Sequence, residues 1–422
     1  MVDRILVVGD DDKVFLATCR SLGRAGVEVH AAPFDHAAAA LASRYISAIH
    51  RLPHYPQDRA GWVQGIRALI DRHGFDLVIP INDSDLLLFQ AHGDEIGRDR
   101  LAIVNAEALR IFTDKAATRE LAASLGVPIA GAALVDPAEL ENGRTSFPLV
   151  LKPRRSYELG SETGKLYAKI VRSEAELRNE LSGKSPSELV VEHFYPGVGV
   201  GFSVLAKNGR LLLCYQHRRL RQAWETGPSS ARVSEAPDPE LEAAVGKLAA
   251  ATNLTGVAMF EFRRQGPGRF VLLEVNARLW GSLPLAIEAG ADFPRALYKL
   301  FVHALEPAAP GYRTGLARRD MFGEYRRITD LLLGCRGLRG RPVGLGCAMR
   351  FALALAFRRS FDTWARDDPE PFYRARRELV GGVIAALATR VRRLSPWPAK
   401  PAPAKAADDA PDSGDDIPAK AA

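Results

Sequence analysis

The chain has 422 residues, 47% hydrophobic and 25% charged, with a formal net charge of +7, long enough to bury two or three packing units rather than one. Its four cysteines (Cys19, Cys214, Cys335, Cys347) lie far apart without CxxC spacing, which excludes a cysteine-built zinc site or a disulfide framework and makes a reducing cytoplasm the expected compartment. The first apolar run meets Asp10, Asp11 and Asp12 at once, and residues 342–357 are broken by Arg350, so neither a signal peptide nor a membrane span of roughly 20 apolar residues is expected.

Residues 4–9 (RILVVG) read as a buried strand ending in glycine, followed by a helical pattern over 15–25 and a second strand over 27–31. Helix and strand recur over 62–73 and 76–81, an order that predicts a parallel sheet with crossover helices. Residues 1–105 thus form a Rossmann-like unit. The glycine-rich phosphate fingerprint is missing, since Gly9 is followed by three carboxylates that would repel a pyrophosphate. Residues 106–129 are expected to be one linking helix that breaks at Val127-Pro128. A strand-rich unit with glycine turns and a helix over 173–181 covers 130–200. The unit over 201–306 has a helix at 239–252, strands at 256–263 and 270–274, and a helix at 283–289. Arg-rich helices are predicted over 307–395, and the Pro/Ala/Lys/Asp tail, 396–422, lacks the apolar surface to fold. The charge concentrates late: residues 311–393 hold 18 Arg, no Lys and 8 acids, so an anionic partner belongs there.

The strongest chemical signal is FVLLEVNAR, residues 270–278. On a strand, Glu274, Asn276 and Arg278 project from one face, and a carboxylate, an amide oxygen and a guanidinium in a row suit magnesium beside phosphate oxygens. Glu261, 13 residues upstream in a second strand-like run, faces Glu274 if the two strands form a hairpin, and facing carboxylates are destabilising unless a cation lies between them. An isolated ExN reads as solvated acids on a sheet face. Two lysines alter that reading: Lys115, opening a helix after Asp114, and Lys152, ending the apolar strand FPLVLKP.

The order Lys115, Lys152, Glu261, Glu274-Val-Asn276-Ala-Arg278 resembles the ATP-grasp superfamily over about residues 1–306, nearest its carboxylate-amine ligase and predicted carboligase branch. The resemblance implies an α/β (α+β) ATP-grasp fold: an N-terminal Rossmann-like domain, a lid subdomain, a core antiparallel sheet and a helical C-terminal extension. It implies ATP and Mg2+, with Mn2+ the alternative, the metal held by Glu261, Glu274 and Asn276. Lys115 and Lys152 would neutralise the phosphates. ELVVEHFYPG, residues 188–197, matches the hinge that receives adenine, with Glu192, Phe194 and Tyr195 as candidates. Residues 154–165 occupy the place of a glycine-rich flap but are glycine-poor and charged. The alternating Gly197, Gly199 and Gly201 read as a tight connection between lid and core.

In QHRRLR, residues 216–221, alternation places His217, Arg219 and Arg221 on one side, as anchors for a substrate carboxylate or the phosphoryl group. Arg219 and Arg278 are the catalytic candidates. Asn82 and Asp83 follow a strand where a parallel sheet opens its crevice, so they can help hold the second substrate, although capping of the following helix is the better account of them.

The implied activity is ATP-dependent: a carboxylate becomes an acyl phosphate and an amine displaces it, giving an amide, ADP and phosphate. The other reading is a non-catalytic ATP-binding sensor or scaffold. Nucleic acid is not an expected partner, because aromatics do not interleave with the arginines. Residues 343–393 carry two apolar bodies with terminal arginines, which raises peripheral contact with an anionic membrane face. The oligomeric state stays open, a homodimer included. Residues 362–371 (DTWARDDPEP) match a recurrent feature of the same branch whose role the sequence does not supply.

Overall fold

The computed structural model describes residues 2–9, 12–55, 57–131, 146–157, 159, 166–182, 188–224, 226–308, 311–333, 351, 353–355 and 360–394. The chain divides into two compact units, residues 1–376 and 377–422, and the second is described only as the end of one helix.

The first element, β1 (Arg4–Val8), lies between β2 (Glu28–Ala32) and β4 (Leu77–Pro80), with β3 (Ala48–Ile49) outside β2; the four strands are parallel in the order β3-β2-β1-β4. Burial on both faces explains the unbroken apolar run of β1. Ile5 and Val7 enter one core with Phe15 and Leu16 of α1 (Asp12–Arg24). Leu6 and Val8 enter another with Trp62 and Ile66 of α2 (Arg59–His73) and Phe89 of α3 (Asp83–Ile96).

The expected single linking helix is two, α4 (Ala106–Phe112) and α5 (Lys115–Ser124). Asp114 breaks it, because its carboxylate accepts from the backbone N–H groups of Ala116 and Ala117 and caps a new helix. That cap sets Lys115 at the first turn of α5.

The lid sheet has the order β6-β5-β7, from β5 (Leu149–Pro153), β6 (Lys169–Val171) and β7 (Leu189–His193), all antiparallel. Leu149, Leu151 and Val171 bury against Leu177 of α6 (Glu174–Leu181) in a small core of their own.

The core sheet is antiparallel, β12-β11-β8-β9-β10-β13. Its strands are β8 (Val198–Lys207), β9 (Arg210–Gln222), β10 (Ser229–Glu235), β11 (Gly256–Gly266), β12 (Arg269–Asn276) and β13 (Ala317–Arg319). One face packs on α7 (Pro239–Ala251) through Leu241, Val245 and Leu248. The other meets α8 (Leu283–Ala289) and α9 (Phe293–His303) around Trp280 and Phe293.

Because β13 completes this sheet, the folded core runs past residue 306. Three residues containing two arginines show no alternation from which sequence could place them. After β13 come α10 (Met321–Leu333) and, from residue 370, α11 (Glu370–Leu394). The segment before α11 docks on α1. Asp367 binds Arg24 through both oxygens at 2.8 Å and accepts from the Tyr45 hydroxyl at 2.6 Å. Asp368, itself buried, accepts from Arg20 Nε at 2.8 Å, Ser43 Oγ at 2.6 Å and Arg44 N at 3.0 Å. The segment 362–371 thus holds a clamp between the late chain and the N-terminal domain. No helix among the described residues is long and apolar enough to cross a membrane. Most of 343–359, one of the two segments behind the membrane-surface reading, lies outside the described residues, as does the tail.

Candidate functional site

On the ladder between β11 and β12, Glu261 is paired with Glu274 and Met259 with Asn276. Alternation carries Asn276 to the face of Glu274, where its Nδ2 is 3.5 Å from Glu261 Oε1. Cations offset the repulsion of the facing carboxylates. Arg219 of β9 forms an ion pair with Glu261, and Lys115 Nζ is 3.9 Å from Glu274. Lys115, almost fully buried, also donates to Ser156 Oγ at 2.8 Å. Lys152 pairs with Glu192 and donates to the Leu273 carbonyl at 3.3 Å.

Arg278 leaves the same face just beyond β12. Its guanidinium binds both oxygens of Asp83 at 2.7 Å and reaches Asn276 Oδ1 at 3.3 Å. Asn82 precedes α3, its N–H donating to Asp85 Oδ2 at 3.0 Å.

These groups border two adjacent spaces that share part of their walls. One is a cavity of about 580 Å3 whose walls include Lys115, Arg219, Glu261, Glu274, Asn276 and Arg278. The other, about 110 Å3, opens between lid and core sheets against Val150, Ile170, Phe194, Tyr195, Phe262 and Leu273. Arg219, Glu261 and Glu274 belong to both. A slot with apolar and aromatic walls therefore leads onto an ionic floor, a form that suits a flat base followed by phosphates. Glu192 also lines the slot, but it is buried and holds Arg119 at 2.6 Å as well as Lys152. In this arrangement it positions a lysine. Two facing carboxylates and an amide oxygen make an all-oxygen donor set of the kind magnesium takes, and they fit that ion.

Of the three alternating basic residues on β9, His217 and Arg219 face the large cavity and Arg221 does not. Arg221 is bound instead by Glu324 of α10, at 3.1 and 2.8 Å, so the expected row of three anchors is reduced to two. His217 is buried within reach of Ser282 Oγ at 3.3 Å. Burial, then the charges of Arg219 and Arg232, hold its imidazole well below the usual histidine range, which keeps it neutral. The glycines of β8 make room for this row: a Cβ on Gly201 would stand 2.2 Å from His217 Cε1, and one on Gly199 2.7 Å from Arg219 Cδ.

Several cavity residues escaped the sequence reading. Lys13 binds Asp320 at 2.5 Å, and Arg232 pairs with Asp362, both side chains buried. Burial outweighs the attraction of Arg232 and pushes the Asp362 carboxyl up to about 6. Tyr157 also lines the cavity, its hydroxyl pushed up to about 12 chiefly by burial. The available signals were the acidic 362–371 motif and the lysine after three aspartates. The flap residues 158 and 160–165 lie outside the described residues.

Residues 185–320 match the family described as ATP-grasp in the biosynthetic pathway with Ter operon. The fold is similar to an L-amino acid ligase from Bacillus licheniformis, at 17% identity and a TM-score of 0.56 over 72% of this chain and 75% of that one. It is similar to the biotin carboxylase domain of a 2-oxoglutarate carboxylase from Hydrogenobacter thermophilus, a structure with MgADP and bicarbonate (15%, 0.58, 75% and 73%). A third likeness is to N5-carboxyaminoimidazole synthetase from Staphylococcus aureus (12%, 0.58, 76% and 82%). No curated protein matches the sequence. These likenesses establish the ATP-grasp fold.

Proposed function

We propose that this ATP-grasp-fold protein is an ATP-dependent ligase that activates a carboxylate as an acyl phosphate for attack by an amine. The observation that carries this reading is the opposition of Glu261 and Glu274 between an apolar slot and a charged cavity, with Lys115 and Arg219 already against them. Adenine would occupy the slot beside Phe194 and Tyr195. Magnesium on Glu261, Glu274 and Asn276 would offset charge on the β- and γ-phosphates. Lys115 and Lys152 reach the same edge from α5 and β5 and supply point charges to the phosphates. Arg278 and Arg219 border the large cavity, where they orient the acid and stabilise the phosphoryl group as the carboxylate oxygen attacks it. The acyl phosphate then loses inorganic phosphate to the incoming amine. The departing phosphate takes the proton that the amine releases, because His217, beside this path, is held well below the usual histidine range and is a poor base.

The deciding experiment measures ADP and phosphate release with Mg-ATP and a mixed pool of amino acids and other acids, for the native chain and Glu274→Ala. Release that depends on the pool and falls at least about 100-fold in the variant, with the melting temperature preserved, is the expected result. Equal turnover by the variant refutes the metal assignment. Nucleotide binding without pool-dependent release would favour a non-catalytic sensor.

A further inference from the structure

A second cluster of metal-ligating side chains stands at the other end of the N-terminal sheet. Glu28 and His30 lie on β2, His50 immediately follows β3, and His73 is the last residue of α2. Arg4 and Glu28 open their strands and His73 precedes β4, whereas Asn82 and Asp83 follow β4 at the cavity end. The three imidazoles form a near-regular triangle, with ring centroids 5.0, 5.0 and 4.9 Å apart. Their potential ligand nitrogens all lie within 4.8 Å of one another. Phe75, fully buried, closes one side with its ring 5.0 Å from that of His30.

We propose that His30, His50 and His73 bind one borderline divalent cation of the zinc class, with Glu28 orienting His30 from behind. His30 uses both nitrogens: Nε2 is 3.0 Å from Glu28 Oε1, and Nδ1 is 2.8 Å from His50 Nε2. The carboxylate fixes the proton on Nε2 and turns the Nδ1 lone pair toward the other two rings. A carboxylate behind a ligating imidazole is a recurrent support of metal sites, because it fixes the tautomer and raises ligand basicity. Glu28 is itself held by Arg4 Nε at 3.0 Å, and Arg4 donates to the His73 carbonyl at 3.1 Å, so support and ligand backbone share one anchor.

His50 and His73 are partly exposed, which leaves a path for the ion and room for the rings to turn. Three nitrogens about 2.0–2.1 Å from zinc sit roughly 3.3 Å apart, so closing the present spread requires modest side-chain rotation only. Three imidazoles leave a fourth position for water, the ligand count of an open zinc site.

The test uses tag-free full-length protein stripped with a chelator and titrated with Co2+ and then Zn2+, in excess Mg2+ to mask the carboxylate site. The expected result is one equivalent of cobalt with visible d–d bands, no thiolate charge-transfer band, and displacement by zinc. His50→Ala/His73→Ala abolishes this equivalent, and Glu28→Gln weakens zinc binding about 10-fold or more, both with unchanged circular dichroism. Absence of the d–d bands, a thiolate band, or equal binding by the double variant would overturn the proposal. None of these variants touches the ATP-site residues, so the outcome is independent of the ligase reading.

Discussion

Arg278 and Asp83 are joined through two 2.7 Å hydrogen bonds across 195 positions of the chain, which fixes the end of the core sheet to the first residue of α3. The pair is mostly but not fully shielded, at 13% and 16% side-chain exposure, so its worth lies between that of surface and buried pairs. Asp83→Ala is expected to lower stability by about 1–3 kcal/mol, and Arg278→Ala by a similar amount. The double variant should lose clearly less than the sum, as read by urea denaturation. Strict additivity would show that the contact is not formed in solution.

Gly201→Ala puts a methyl group where the His217 ring lies. Because that ring is buried, the substitution should cost about 1–3 kcal/mol by overpacking. Adding His217→Ala should recover most of the loss. Failure of the second change to rescue the first would mean that β8 needs glycine for another reason.

Asp362 gives a pH signature. Its folded-state value, about 6, lies above the ordinary 3.8, so the folded state holds the proton more tightly, and this group's contribution to stability declines as pH rises from about 4 through 6. Asp362→Asn removes that titration. Chemical denaturation at several pH values should show the variant gaining on the native chain by on the order of 2 kcal/mol between pH 4 and 7. The comparison isolates this residue from Asp367, whose carboxyl Arg24 and Tyr45 hold low and whose pH dependence runs the opposite way. A constant difference across the range would exclude the raised value.

The parts of the fold legible in the sequence are those with a local cause. RILVVG shows β1 because both faces are buried, and FVLLEVNAR shows a shared face because strands alternate. Asp114 was visible as a cap, yet the helix before it and the helix after it share enough apolar periodicity to read as one. Arg232 and Asp362, 130 residues apart, carry no local signal of their pairing. The same holds for His30, His50 and His73, which approach only when two strands and a helix end assemble. Arg221 shows the limit of alternation: it shares the spacing of His217 and Arg219, but Glu324, 103 residues later, takes it out of the cavity. The glycines of β8 were conspicuous while their cause, the side chains of the neighbouring strand, was not.

The clamp by which Asp367 and Asp368 hold α1 bears on how the protein is made. Arg20 leaves the ribosome 348 residues before Asp368. During that interval its guanidinium, later enclosed, must stay in water or find temporary partners. The N-terminal sheet can assemble early, but its first helix acquires its permanent electrostatic neighbours only after residues 367 and 368 have been made.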